Sequence, residues 1–137
     1  YSGCLCHRPS CSGEKEMSCP FCDTGCEVLG NDLAYARYDA YPVSRGHLLI
    51  IPRRHAADWF DLTEEEQRSI FLLISEAKQM LDEKFSPDGY NIGINCGEAA
   101  GQTIFHVHVH LIPRYTGDVE NPRGGVRGVI PEKRSYP

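Results

Sequence analysis

Residues 105–113 read FHVHVHLIP, and the alternation there constrains the chain more than any other stretch. In a β-strand, side chains at i, i+2 and i+4 stand on one face. His106, His108 and His110 should therefore share a face, with Phe105, Val107, Val109 and Leu111 on the other. The apolar face is expected to bury against a helix. The histidine face is expected to be wet or functional, because three imidazoles in a row add no packing and repel one another when charged. Two chemistries suit such a row. One is a metal held by alternate histidines. The other is phosphate chemistry, with one imidazole as nucleophile and its neighbours as donors. The strand alone does not separate them.

The helix that could cover the valine face is also readable. Thr63 followed by Glu66 forms a capping box, and Glu64 and Glu65 favour a helix N-terminus. The helix should run from 64 to 85 and end at SPDG. Its expected apolar stripe is Ile70, Phe71, Ile74, Ala77, Leu81 and Phe85. Strands are expected at LAYARY (33–38), HLLIIP (47–52) and YNIGIN (90–95), the first two antiparallel and adjacent. A helical turn is expected within Ala56–Phe60, and the tail from Arg114 should be extended and irregular. Strands, one long helix and further strands give an α+β chain with an antiparallel sheet.

With 137 residues, one domain is expected over 19–137, preceded by a loose arm at 1–18. The net charge of −5 argues against a nucleic-acid binder. No apolar run reaches the ~20 residues of a membrane span, and the first residues lack the apolar centre of a signal peptide. A cytoplasmic protein with no membrane partner is expected. Six of seven cysteines fall in the first 26 residues, at Cys4, Cys6, Cys11, Cys19, Cys22 and Cys26, with Cys96 elsewhere. Such crowding fits a metal site better than a disulfide framework.

Gly101-Gln102-Thr103 lies just before the histidines, and Asn95 ends the preceding strand. These residues offer neutral donors suited to a polyphosphate. Arg114, Arg123 and Arg127 follow the histidines and point to the same kind of ligand, an anion.

HVHVHLI resembles the signature of the histidine-triad (HIT) family at every position, and GQT, Asn95 and GHLLIIP are arranged as in that family. The resemblance covers about 19–137 and is nearest to bacterial dinucleoside-polyphosphate hydrolases. It implies a sheet of about five antiparallel strands with one long helix, extended across a homodimer. It implies cleavage at the α-phosphate of a nucleotide, adenine nucleotides foremost, through a nucleotidyl-histidine on His108. His110 and His47 would assist. Asp39 would accept the ribose hydroxyls, and Asn95, Gln102 and Thr103 would contact phosphate or leaving group. Leu33, Tyr35, Tyr38 or Ile50 would line the base pocket. A structural zinc would be held by Cys19, Cys22, His55 and His106, with no organic cofactor. The alternatives are a nucleotide-binding adaptor with vestigial catalysis, an adenosine phosphoramidase of the Hint kind, and a zinc enzyme with catalytic metal on the triad.

Overall fold

The computed structural model describes residues 19–137, so the expected arm, with Cys4, Cys6 and Cys11, lies outside the described residues. Five antiparallel strands form one sheet: β1 (Leu29–Gly30), β2 (Ala34–Tyr38), β3 (Leu48–Pro52), β4 (Gly89–Ile94) and β5 (Val109–Arg114). Their order across the sheet is β1-β2-β3-β5-β4. One helix, α1 (Glu64–Phe85), packs on it. The antiparallel pairing of β2 with β3 is as expected, with Ala36 opposite Ile50.

The capping box forms as read. Thr63 Oγ1 accepts from the Glu66 amide, and the Glu66 carboxylate accepts from the Thr63 amide. Glu66 is buried, and Arg54 clamps it through Nε and Nη2, each at 2.9 Å. This pair ties the loop after β3 to the start of α1, and so fixes the neighbourhood of His55. At its other end, α1 stops at Ser86 in the left-handed region, φ 49°.

The apolar stripe differs by one position. Leu73 is fully buried with Ile70, Ala77 and Leu81, whereas Phe71 is 58% exposed. A stripe through 66, 70, 73, 77 and 81 keeps the helical period, and Phe71 falls outside it, in contact with Trp59 instead. Facing the helix are Ala34, Ala36, Leu48, Ile50, Val107, Val109 and Leu111. Phe105 does not join them and is 46% exposed. The chain is not yet in the ladder there, since β5 begins only at Val109.

The other sheet face carries Tyr35, Leu49 and Ile51 under Cys19 and Phe21. All of β2 and β3 is therefore buried. The helical turn expected in 56–60 appears as a 3-10 turn at Trp59–Asp61. The tail is less irregular than expected and contains 3-10 turns at Gly125–Val129 and Pro131–Lys133.

Candidate active site

Val107, Val109 and Leu111 sink into the core beneath α1. That forces His106, His108 and His110 to the opposite face, as the alternation requires. His108 and His110 meet edge to face at 5.1 Å between centroids. The row is not uniformly wet, however. His106 is 0% exposed, because Cys19 and Phe21 cover its end of the row.

Backbone and ring partners set the proton on each imidazole. The His108 Nδ1–H donates to the His106 carbonyl at 3.0 Å. In the neutral ring, Nε2 then keeps its lone pair. Burial pushes the His108 pKa down, opposed by this hydrogen bond and by Asp39, so the neutral ring is favoured. The Val43 amide donates to His47 Nδ1 at 3.1 Å, which places the His47 proton on Nε2. That proton points at His110 Nδ1, 3.0 Å away, with Asp39 Oδ2 at 3.5 Å. His110 accepts at Nδ1 and so carries its own proton on Nε2, as a donor. Gly46, at φ 84°, precedes His47, and a Cβ there would meet the Phe85 ring at 2.9 Å. Glycine is needed at this turn into β3.

His110 is pushed down to about 4, first by burial and then by His108 and His47. The unfolded ring titrates near 6.5, so the folded state excludes a proton that the unfolded state binds. This contribution is complete above pH 6.5 and is lost as pH falls toward 4. Stability should decline over that window by on the order of 1 to 2 kcal/mol from this ring, allowing for its partial exposure. Urea titrations of wild type and His110→Asn at pH 7 and pH 5 measure it. An equal pH slope in both proteins would contradict this origin.

A second cluster adjoins the row. Ligand atoms of Cys19, Cys22, His55 and His106 all lie within 4.8 Å of one another. His106 Nδ1 is 3.3 Å from Cys19 Sγ and 3.5 Å from Cys22 Sγ, and His55 Nδ1 is 3.2 Å from Cys22 Sγ. Donors on one tetrahedral zinc stand roughly 3.4 to 3.8 Å apart. His106 Nε2–H donates to the Pro52 carbonyl at 2.8 Å, which frees Nδ1 to ligate. The residues fit a metal. Cys19 and Cys96 are free thiols. Zinc needs Cys22 as a thiolate, so occupation of this cluster belongs to the reduced chain.

Other expected positions separate. Asp39 is part-buried beside His47, and its Oδ1 accepts from the Tyr41 amide. Asn95 lines a cavity with His47 and His110. Thr103 is exposed. Gln102 is 2% exposed and its amide is occupied. It donates to the Ala57 and Ile104 carbonyls and accepts from the Gly97 amide, bracing the turn before the histidines. The three arginines do not converge on the row. Arg114 pairs with Asp118 and Asn91, Arg127 donates to the carbonyls of Lys133 and Arg134, and Arg123 stacks on Tyr136. Of the base-pocket candidates, Tyr35, Tyr38 and Ile50 are buried in the core, leaving only Leu33 part-exposed. Tyr35 donates to the Phe21 carbonyl, and burial pushes its hydroxyl up to about 12.

Residues 26–117 match the profile of the HIT domain. The chain belongs to the HIT family. Among curated relatives, an uncharacterised HIT-like protein of Mycoplasma genitalium is 38% identical over 72% of this chain and 74% of its own length. A bis(5'-adenosyl)-triphosphatase of Dictyostelium discoideum is 39% identical over 66% of this chain, which spans 60% of that relative. Among solved structures, a zinc-bound histidine triad protein from Mycobacterium smegmatis matches at TM-score 0.69 and 34% identity, over 77% of this chain and 81% of that one. Within this HIT chain, no described helix is long and apolar enough to cross a membrane.

Two contributions escaped sequence reading. The Pro52 and His106 carbonyls, which choose the tautomers, carry no side-chain signal.

Proposed function

We propose that this HIT protein is a nucleotidyl hydrolase or transferase that attacks the α-phosphate of dinucleoside polyphosphates or related nucleotidyl conjugates. The observation that carries the reading is the His108 tautomer. Its Nδ1 proton is engaged by the His106 carbonyl, so a neutral Nε2 lone pair is left for phosphorus. In the first step Nε2 forms a P–N bond as the P–O bond to the leaving phosphate breaks, and that oxygen takes the electron pair. In the second step water adds to phosphorus and the P–N bond breaks. The lone pair returns to His108, the water gives up a proton, and a mononucleotide leaves. The His110 Nε2–H is a donor for a phosphate oxygen, and Asp39 is an acceptor for a ribose diol. Asn95 and Thr103 belong to the phosphate side in the same reading, while Gln102 acts by shaping the turn.

The cysteine–histidine cluster is the site we assign to a structural zinc. Its four donors fill a tetrahedral shell, so bound zinc would pin the 19–22 segment over the histidine row without an open position for substrate. The relative named as a bis(5'-adenosyl)-triphosphatase supports the substrate class. A homodimer belongs to the same reading, and β4 leaves one sheet edge unpaired among the described residues.

The test is product chromatography from diadenosine tetraphosphate, adenosine 5'-phosphoramidate and an adenylyl-lysine mimic, with and without chelator, below the unfolding temperature. We expect AMP from at least one substrate, at a rate that chelator leaves within about twofold. Complete loss of initial rate in a folded, chelated sample would favour catalytic metal instead.

A further inference from the structure

We infer, building on the zinc assigned to the cysteine–histidine cluster, that the Val43 backbone amide keeps divalent metal off the active-site histidines, so that zinc enters on the cysteine side alone. The chain carries a second group of metal-ligating atoms. Those of Asp39, His47 and His110 lie within 4.8 Å of one another, as closely as the cysteine set does. His47 Nε2 is 3.0 Å from His110 Nδ1 and 3.5 Å from Asp39 Oδ2. Two imidazoles and a carboxylate are a common donor set for zinc and for iron. Residue type and distance therefore favour metal at this trio. Protonation opposes it.

A ring nitrogen ligates only with its lone pair free, and the partner of the other nitrogen decides where the proton sits. The two clusters are set in opposite senses. Behind His106 stands an acceptor. Its Nε2–H donates to the Pro52 carbonyl at 2.8 Å, which leaves Nδ1 bare toward the cysteines. Behind His47 stands a donor. The Val43 N–H donates to Nδ1 at 3.1 Å, so the His47 proton is held on Nε2, the atom that faces His110 and Asp39. A metal at the trio meets that N–H. To bind through His47 it must turn the ring to its other tautomer, which sets Nδ1–H against the Val43 N–H. Without His47 only His110 and Asp39 remain, fewer than the roughly three or four protein donors of a zinc site.

The loop that carries the amide is held on both sides. The Asp39 amide donates to the His47 carbonyl at 3.0 Å, and the His47 amide to the Ser44 carbonyl at 3.2 Å, closing residues 39–47 on themselves. Ser44 Oγ donates to the Pro113 carbonyl at 2.6 Å, and the Tyr115 hydroxyl to the Arg45 carbonyl at 2.8 Å, tying the loop to the end of β5. The Val43 side chain is 71% exposed, so this position contributes its amide and little packing. The same bond serves the histidine row. It keeps the His47 proton directed at His110 Nδ1, and so keeps the His110 Nε2–H available as a donor.

The experiment titrates reduced protein with zinc chloride against a chromophoric chelator, in wild type, Val43→Ala, Val43→Pro, His110→Asn and the double variant Val43→Pro/His110→Asn. Proline lacks the amide proton, and alanine keeps it. Wild type and Val43→Ala should show about one site, the four-donor cluster. Val43→Pro should add a second, weaker site at the trio. Its affinity should rise on the order of 10- to 100-fold over the same atoms in wild type, the range by which partners behind a ligating histidine change metal affinity. The added site should vanish in the double variant. Folded Val43→Pro with no added site overturns the inference, as does an added site that survives in the double variant. A second site already present in wild type and removed by His110→Asn also overturns it. Where Val43→Pro does not fold, NMR spectra of the ring nitrogens in wild type decide. His47 should show a bare Nδ1 and a protonated Nε2, and the reverse tautomer overturns the inference. Wild type that binds no zinc removes the assignment of the cysteine cluster, while the His110-dependent gain in Val43→Pro still decides the role of the amide.

Discussion

Replacing His108 by alanine should lower turnover of the preferred nucleotide by on the order of a thousandfold or more, equivalent to about 4 kcal/mol of transition-state stabilisation. The ring is part-buried and contributes one hydrogen bond, from its own Nδ1 to a carbonyl two residues back. Its removal should therefore cost little of the fold. The neighbouring donors remain, so nucleotide affinity should stay within severalfold of wild type. Steady-state rates, calorimetric binding of AMP and a melting curve separate the three quantities. Acid-labile radioactivity trapped on wild-type protein from an α-labelled substrate, and absent from His108→Ala, would locate the phosphoramidate. A variant keeping more than a tenth of wild-type rate would remove His108 from the role of nucleophile.

The second large effect is expected at the cysteine–histidine cluster. Reduced protein should bind about one zinc per chain, and Cys19→Ser should lose it. Cys19 is buried against Phe21, Tyr35, Leu49 and Ile51, so metal loss there releases the cover of one whole sheet face. Metal that binds the folded chain and not the unfolded one adds its binding free energy to stability. We expect the melting temperature of reduced, zinc-loaded protein to fall by roughly 10 °C or more in Cys19→Ser, or on chelation. In that variant His106 loses the Cys19 sulfur 3.3 Å from its Nδ1, while Cys22 and the Pro52 carbonyl are untouched by the substitution. Reduced wild type that binds no zinc, or Cys19→Ser that binds as much, would count against the cluster as a metal site.

The alternation at 106–111 was legible because period two is a property of extended backbone. It placed three histidines on one face correctly even though only His110 lies in the ladder proper. The capping box was legible because Thr63 and Glu66 act within one helical turn. Phe71 was misplaced because it neighbours the true stripe in sequence, and only the contact with the sheet decides between it and Leu73. Gln102 and the three arginines show the harder limit. Their donors suit phosphate in the abstract, yet carbonyls, a carboxylate and, for Arg123, the Tyr136 ring within the chain engage them first. Local sequence does not reveal such competition, because the Ala57 carbonyl is distant from Gln102 along the chain.

The two halves of this site differ in how they are supported. Asp39 and His47 adjoin β2 and β3, strands bonded on both sides and buried on both faces. Gly93 sits on β4, bonded among the described residues by β5 alone, and faces a tail built of short 3-10 turns. A substitution on the first half propagates into the core. On the second it is absorbed at a margin. Sequence drift should therefore be tolerated far more on the β4 and tail side than around the attacking centre.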